Sequence, residues 1–273
     1  MATHEEREGA GTVPPPEPGE QVRREERRRC ALRARISLLR HGEPDWTPGG
    51  GPSVEDPGLT PFGAAQARAA AGRLAAEGID ALYVSPCRRA RETAAPLALR
   101  TGLEPVVVED LAEVGVAVAG LSQEDVDRYF EAGSRRPLAS HWEGWPGAET
   151  FHDFHARVTA ALAGILARHG LQPRREHDFT VWQLPPEPIS ILLVAHGGTN
   201  AVALTHLLDI RPVPWEWLRF ESELAAFSVL QARPLGPAGS VWSLQNFNEV
   251  DPLVAAGLRG RVGAAWDQSP VRR

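Results

Sequence analysis

The sequence contains no lysine, and all 29 basic residues of the 273-residue chain are arginine. Catalytic schemes that depend on a lysine are therefore excluded, among them Schiff-base enzymes, P-loop nucleotide hydrolases and protein kinases. Any fixed positive charge in a site must come from arginine, from protonated histidine or from a metal ion. Arginine keeps its charge at every working pH and offers a planar fork that fits phosphate or carboxylate oxygens.

Cysteine is also scarce. Cys30 and Cys87 form no CxxC pair, which argues against a disulfide-stapled fold and a zinc-binding cysteine cluster. Apolar runs such as residues 191–195 are far too short to span a bilayer. The formal net charge of −6 disfavours non-specific binding to nucleic acid, which needs a basic face. With a charged, proline-rich N-terminus, these features predict a cytoplasmic protein that binds neither membrane nor nucleic acid.

Three segments are expected along the chain. Residues 1–35 hold a triple proline and a run of charged side chains, which predicts a disordered tail. Residues 36–250 are predicted to form one domain, since a segment of that length can enclose a single hydrophobic core. Residues 251–273 are predicted to be a C-terminal tail. The oligomeric state is left open.

Strand and helix patterns alternate through the predicted domain. Apolar runs predict strands at 36–39, 80–84, 105–108 and 189–195, with a closing hairpin or paired edge strands at 226–231 and 241–244. Helical patterns cover 61–76, 86–100, 122–132, 149–169 and 197–208. A proline-rich loop is expected between the last two helices, ahead of the fourth strand. This alternation predicts an α/β fold with a mostly parallel sheet covered on both faces.

Two of the predicted parallel strands end in a histidine. Arg40 and His41 follow the first strand, and His196 follows the fourth. The second strand leads into a helix that carries Arg89 in its first turn. Because ligands of parallel sheets bind beyond the carboxyl ends of the strands, we expect these four side chains to meet in one site.

Two arginines and two histidines together suit phosphoryl transfer. Arginine forks neutralise the non-bridging oxygens, and a neutral imidazole can attack phosphorus when its other nitrogen donates to a backbone carbonyl. The departing alkoxide needs a proton, for which Glu109, Asp110 and Glu113 are the candidate acids. No metal is required if the arginines supply the charge.

Several segments carry a resemblance to a known family. In chain order they are LLRHGE at 38–43, LTPFGAAQA at 59–67, SPCRRARETA at 85–94, LAE at 111–113, GAET at 147–150 with Arg157 beyond it, and VAHGG at 194–198. Their types and order are similar to those of the histidine phosphatase superfamily, also called phosphoglycerate mutase-like.

The resemblance implies a three-layer α/β/α phosphatase. It implies His41 as the phosphorylated nucleophile, with Arg40, Arg89 and His196 as the phosphate pocket and Glu113 as the proton donor. The catalytic residues would then be His41, Glu113 and His196. It also implies a small phosphate ester as substrate and neither a metal nor another cofactor.

Further substrate contacts are expected near the two histidines. Gly42 and Gly197 directly follow them and are expected to line the substrate site. Family phosphatases often carry an asparagine shortly after the nucleophile, where this chain has Trp46 and Thr47. We expect Thr47 or Ser53 to take the place of that amide.

The residues after the candidate acid depart from the family pattern. Residues 114–116 are Val-Gly-Val where the cofactor-dependent mutases carry Arg and Tyr, which favours hydrolysis. We expect the irregular region 114–148 to recognise the substrate. There Arg135 and Arg136 are candidates to hold a second anion, and Trp142 and Trp145 to line a sugar or aromatic group.

Two other functions are kept open. A phosphomutase would move phosphate between positions of one metabolite, and a non-catalytic binding protein would keep only the fold. A cysteine-based phosphatase is excluded because Thr93, and no arginine, lies six residues after Cys87.

Overall fold

The computed structural model describes residues 34–260. Its strands are β1 (Ala34–Arg40), β2 (Ala81–Val84), β3 (Val106–Val107), β4 (Gln172–Glu176), β5 (Phe179–Gln183), β6 (Ile189–Ala195), β7 (Phe227–Pro234) and β8 (Ser240–Glu249). The tail predicted for residues 1–35 lies outside the described residues except for its last two, which begin β1 because Ala34 is buried in the core.

α-Helices cover the five segments predicted to be helical, with starts displaced by up to two residues, and two short α-helices follow that were not predicted. In chain order the helices are α1 (Pro61–Ala75), α2 (Arg88–Thr101), α3 (Gln123–Ser134), α4 (Phe151–Arg168), α5 (Gly197–Leu207), α6 (Glu216–Arg219) and α7 (Asp251–Ala255). Thr60, Ser122 and Thr150 each accept a hydrogen bond from the backbone N–H three residues ahead. These bonds satisfy N–H groups that have no partner inside the helix.

One sheet joins all eight described strands, in the order β3-β2-β6-β1-β7-β8-β5-β4. The strands β3, β2, β6 and β1 are parallel. β1 and β6 pair from Ala34 opposite Ile189 to Arg40 opposite Ala195, so both strands end at the same edge. The α/β class and the parallel arrangement of these strands are confirmed.

The other half of the sheet is antiparallel. The predicted hairpin forms as β7 and β8, but β7 pairs with β1 in the middle of the sheet. The proline-rich loop expected between α4 and β6 is wrong in part, because β4 and β5 form a second hairpin there. Pro173 lies in β4 at the sheet edge, where a strand tolerates a residue without an N–H.

Side chains alternate between two helical layers. On β1, Ile36 and Leu38 join a core with Leu162 of α4 and Leu204 of α5. On the other face, Leu39 packs with residues of α1 and α2 such as Leu74 and Leu97. The strands are thus buried on both faces, which confirms the three-layer α/β/α arrangement.

The C-terminal boundary differs from the expectation. The segment from residue 251 was predicted to be a tail, but α7 buries Leu253 in the core shared by α1 and α2. The carbonyl of Leu258 also accepts a hydrogen bond from Gln66 Nε2 at 3.1 Å. The folded unit therefore extends past residue 251 because an apolar residue follows the Asp251-Pro252 helix start; residues 261–273 lie outside the described residues.

The loop after β1 packs tightly on the start of α1. A Cβ atom on Gly63 would lie 2.2 Å from the carbonyl oxygen of Glu43, and one on Gly42 would lie 2.6 Å from the carbonyl oxygen of Gly63. The segment that follows His41 is therefore held by backbone-to-backbone contact, which leaves no room for a side chain.

We predict that Gly63→Ala destabilises the fold by about 2–3 kcal/mol, because the backbone of Glu43 must move. For a domain of this size that corresponds to a fall in Tm of about 5–10 °C, measurable by thermal unfolding. Gly72→Ala in the same helix is the control, since nothing lies within 4 Å of its Cβ position. The control is expected to gain about 0.5–1 kcal/mol; equal losses in both variants would contradict the packing argument.

Candidate active site

A cavity of about 400 Å³ opens at the carboxyl ends of β1, β2 and β6. Its polar wall contains Arg40, His41, Arg89, Glu113, Gly197 and Gly198. His196 lies behind this wall, with its ring centroid 5.1 Å from that of His41. The four side chains predicted to converge from three strand ends do so.

His41 is buried and held from both sides. Its backbone N–H donates to the Ala195 carbonyl on β6 at 3.0 Å, and its carbonyl accepts from the Ala225 N–H at 3.0 Å. The ring Nδ1 is 2.8 Å from the Gly42 carbonyl oxygen and donates to it, because a carbonyl can only accept. The lone pair of the neutral ring is therefore on Nε2.

The charge state of His41 follows from its surroundings. Burial lowers the pKa of His41 well below 6.5, and the nearby Arg89 and Arg40 lower it further. The backbone hydrogen bond to Gly42 opposes this, but it is the smallest contribution. At neutral pH the ring is uncharged and can act as a nucleophile.

Arg40 reaches the cavity from the end of β1. One Nη donates to the Ser222 carbonyl, and burial lowers the pKa of Arg40 to about 10, so the guanidinium stays cationic at neutral pH. Gly197 lies close beside it, since a Cβ there would be 3.2 Å from the guanidinium. Gly197 therefore lines the cavity as expected and makes room for Arg40.

Arg89 enters from the first turn of α2. Its guanidinium carbon lies 5.2 Å from the centroid of the Trp46 ring, in cation–π range. Asp56 Oδ1 is 3.7 Å from its Nη1, and the Asp56 side chain is about half exposed. The indole thus supports the arginine from one side, at a position where the family pattern often has an asparagine.

His196 follows β6 and immediately precedes α5. Its Nε2 forms a 2.7 Å hydrogen bond with the hydroxyl of Ser85, the residue after β2. Burial, then Arg89 and His41, lower the pKa of His196 well below 6.5. The role of Ser85 was not anticipated; its position directly after a buried strand is the signal that could have indicated it.

Several buried nitrogens of this cluster have no hydrogen-bond partner within the described residues. They are Arg40 Nε, Arg89 Nε and His196 Nδ1. Leaving a buried polar group unpaired costs about 1–3 kcal/mol, and more when it is charged. Cationic donors grouped around a neutral imidazole match the non-bridging oxygens of a phosphoryl group.

Glu113 is the candidate acid that the structure places on the cavity wall. Its carboxylate accepts the Gly198 N–H at 2.8 Å and the Val114 N–H at 3.0 Å. It thereby lies at the start of α5, where the helix dipole favours a negative group. Glu109 and Asp110, the other candidates, are exposed and do not line the cavity.

Arg157 of α4 holds the segment that carries this acid. Its guanidinium donates to the carbonyls of Asp110 and Ala112 at 2.8 Å and of Glu113 at 3.2 Å. Glu149 accepts from the same guanidinium through both carboxylate oxygens, at 2.6 and 2.8 Å. Arg157 belongs to the matched sequence segments, but its contacts could be seen only in the structure.

Two expected substrate contacts lie off the cavity wall. Gly42 donates its N–H to Thr93 Oγ1 at 3.0 Å and packs on the backbone of Gly63. These contacts give Gly42 a structural role in the loop after His41. The carbonyl of Thr47 closes a turn with Gly50, and Thr47 does not line the cavity. Ser53 does line it, but its hydroxyl donates to the Val118 carbonyl at 3.0 Å.

Of the residues expected to select the substrate, only some line the cavity. Trp145 lines the cavity, whereas Trp142 stacks on His152 with centroids 4.3 Å apart. Arg135 pairs with Glu131, and Arg136 donates to backbone carbonyls outside the cavity. Neither arginine lines the cavity, so a second anion site on Arg135 or Arg136 stays a prediction.

Within residues 34–260, no helix is both long and apolar enough to cross a membrane. The same residues contain no group of three or more His, Cys, Asp or Glu side chains placed to hold a metal ion.

The fold and site define an α/β protein with a cavity lined by histidine and arginine at the strand ends, and comparison with known proteins identifies the family. The model of the histidine phosphatase superfamily, branch 1, matches residues 36–245. This chain therefore belongs to the histidine phosphatase superfamily.

Relatives in this family include named phosphatases. Phosphoserine phosphatase 1 of Hydrogenobacter thermophilus is 30% identical over 138 residues, which are 50% of this chain and 65% of that protein. A bifunctional protein of Mycobacterium tuberculosis is 35% identical over 181 residues, which are 63% of this chain and 47% of that protein. The chain thus spans about half to two thirds of the length of these relatives.

Solved structures match over a larger share. A mycobacterial glucosyl-3-phosphoglycerate phosphatase superposes with a TM-score of 0.58 at 29% identity, covering 78% of this chain and 98% of the other. A protein described as mycobacterial hydrolase 1 gives a TM-score of 0.60 at 27% identity, covering 79% and 98%.

We predict that stability falls below about pH 6.5. His41 and His196 are neutral in the fold, whereas in the unfolded chain they take up protons near the ordinary pKa of 6.5. Between that value and their lowered native pKa, the unfolded state binds more protons, so each histidine costs up to about 1.4 kcal/mol per pH unit.

Urea unfolding at pH 7.5 and 5.5 measures this loss. A double variant, His41→Asn with His196→Asn, is expected to show a clearly smaller difference between the two pH values. Identical pH dependence in the natural sequence and the double variant would contradict the neutral, buried state of the two rings.

Proposed function

We propose that this chain is a metal-independent phosphomonoester hydrolase that acts on a small phosphorylated metabolite through phosphohistidine at His41. The observation that carries the proposal is a neutral, buried imidazole that lies beside a second histidine and two arginines at one end of the cavity. Such a group of donors suits a dianionic phosphoryl group.

The first half of the reaction forms the phosphoenzyme. Arg40, Arg89 and His196 hold the non-bridging oxygens, and the lone pair on Nε2 of His41 attacks phosphorus in line with the ester oxygen. The P–O bond to the alcohol breaks with its electron pair going to that oxygen. Glu113 in its acid form donates the proton that turns the departing alkoxide into an alcohol.

The second half releases phosphate. Glu113, now a carboxylate, takes a proton from water while the water oxygen attacks phosphorus. The P–N bond to His41 breaks, and the ring recovers its lone pair. The hydrogen bond from Nδ1 to the Gly42 carbonyl keeps the proton on the far nitrogen in both steps.

Family and relatives support hydrolysis over the alternatives. The comparisons include proteins named as phosphatases at about 30% identity. Val114 and Val116 lie on the cavity wall, in the segment where the cofactor-dependent mutases carry Arg and Tyr. A purely binding role would have no use for an imidazole kept neutral among cations.

We predict that His41→Asn lowers kcat for p-nitrophenyl phosphate by at least about 1000-fold, because no nucleophile remains. Enzyme quenched with alkaline denaturant, in which the P–N bond survives, should carry a phosphoryl group on His41 in the natural sequence and none in the variant, measured by mass spectrometry. His152→Ala, an exposed histidine outside the cavity, is the control and should keep normal turnover.

Near-normal turnover in His41→Asn would refute the mechanism. Formation of an isomeric phosphate ester without free phosphate would instead indicate a mutase. Activity should also survive a chelator; loss that is restored by a divalent cation would refute the metal-independent scheme.

We predict that Glu113→Gln affects substrates according to their leaving group. Benzyl phosphate releases a basic alkoxide that needs a proton, so its kcat should fall by about 100- to 10,000-fold. p-Nitrophenyl phosphate releases a weakly basic phenolate and should lose much less in the phosphorylation step. Single-turnover kinetics measure that step for both esters, and Asp110→Asn, outside the cavity, is the matched control. Equal losses on both esters would argue against Glu113 as the acid.

A further inference from the structure

We propose that the cavity beyond the phosphate pocket takes the phosphomonoester of an uncharged, aromatic alcohol and disfavours esters that carry a carboxylate. The inference rests on the proposed function, because it concerns the leaving group of that same reaction. It goes further by naming the chemical class of the substrate.

Apolar side chains form most of the remaining cavity wall. The larger ones are Trp46, Val54, Val116, Phe130, Trp145 and Trp217. A cavity of about 400 Å³ is large enough for a phosphate with one or two rings attached. An aromatic group placed there would remove apolar surface from water and meet ring faces and edges, whereas a charged group would lose hydration.

The aromatic wall is supported from behind. Trp145 and Phe130 contact edge to face with centroids 5.2 Å apart, and Trp217 contacts Phe151 at 5.0 Å. Gly133 on α3 lies so close to Trp145 that a Cβ there would be 2.3 Å from the indole. Because the rings are packed on one another, the wall is preformed, which lowers the entropy cost of binding a flat ligand.

Positive charge on the described cavity wall is confined to the phosphate pocket. Arg40 and Arg89 are the cationic residues there, and the phosphoryl group engages both. The acidic residues on the wall are Glu113, which the proposed mechanism uses as the proton donor, and Glu55 and Asp56 at the exposed rim. A carboxylate on the substrate would meet no second cation and would face charges of its own sign.

The neighbouring arginines do not alter this balance. Arg136 lines a neighbouring pocket of about 240 Å³, on the other side of Trp145 and Trp217, and donates to the carbonyls of Gly133 and Gly144. Arg135 is exposed and paired with Glu131. Phosphoserine and glucosyl-3-phosphoglycerate, which are named in the descriptions of two similar proteins, both contain a carboxylate. The cavity of this chain therefore indicates a different substrate class.

A matched pair of esters tests the inference with the full chain. Benzyl phosphate and 4-carboxybenzyl phosphate have the same reacting bond and differ by one remote carboxylate. We expect kcat/KM, measured by phosphate release, to be at least about tenfold higher for benzyl phosphate. Phosphoserine should be weaker still. Equal values for the matched pair, or a preference for the carboxylate ester, would overturn the inference.

A charge placed on the wall gives the second test. Val116→Arg is expected to raise kcat/KM for 4-carboxybenzyl phosphate relative to benzyl phosphate by about tenfold, because it supplies the missing cation. Val106→Arg is the control, since Val106 is exposed on β3 outside the cavity, and it should leave the ratio unchanged. A ratio unmoved by Val116→Arg, or moved equally by both variants, would contradict the placement of the leaving group on this wall.

The two proposals fail in different ways. If no ester is hydrolysed and His41 is never phosphorylated, the proposed function is wrong and the inference falls with it. If both esters are hydrolysed through phospho-His41 without the expected preference, the function stands and only the substrate class is wrong.

Discussion

The parallel pairing of β1 with β6 is the constraint on which the rest of the site depends. Their register places Arg40 opposite Ala195, and the next backbone hydrogen bond joins the His41 N–H to the Ala195 carbonyl. The two histidines that follow these strands must therefore leave the sheet side by side. β2 lies on the other side of β6 and brings Ser85 and the start of α2 to the same edge.

Burial of this sheet edge determines the charge states of the side chains that meet there. In water, two histidines beside two arginines would be ordinary titrating groups. Under the cover of the surrounding loops, desolvation keeps His41 and His196 neutral while Arg40 remains cationic. Without a bound anion, the buried arginines repel one another and lose hydration. A bound anion would offset both costs, as expected of a pocket that binds phosphate.

The helices on the α4 side of the sheet position Glu113 and much of the cavity wall. Arg157 joins α4 to the segment that ends in Glu113, and the start of α5 supplies an N–H to the same carboxylate. Beyond this point the wall is built from rings that contact one another. The cationic residues of the cavity and most of its aromatic wall therefore come from different parts of the chain.

Much of this could be predicted from local patterns. Strand ends followed by Arg40, His41 and His196 indicated the site, because parallel strands present their carboxyl ends together. The hairpin of β4 and β5 was missed, since the charges and proline of an edge strand hide the pattern. Thr47 was expected on the wall because its residue type suits a hydrogen bond, but the turn of its loop directs it elsewhere.

By itself, the sequence determined the α/β class, the absence of lysine chemistry and the cationic groups available for phosphate. Only the tertiary structure decided which acid faces the cavity, which histidine nitrogen keeps its lone pair and which arginines are already engaged. The reason is physical. Local patterns specify strands, helices and their ends, whereas burial, pairing and charge state depend on residues far apart in the chain that meet only when the sheet and its two helical layers close.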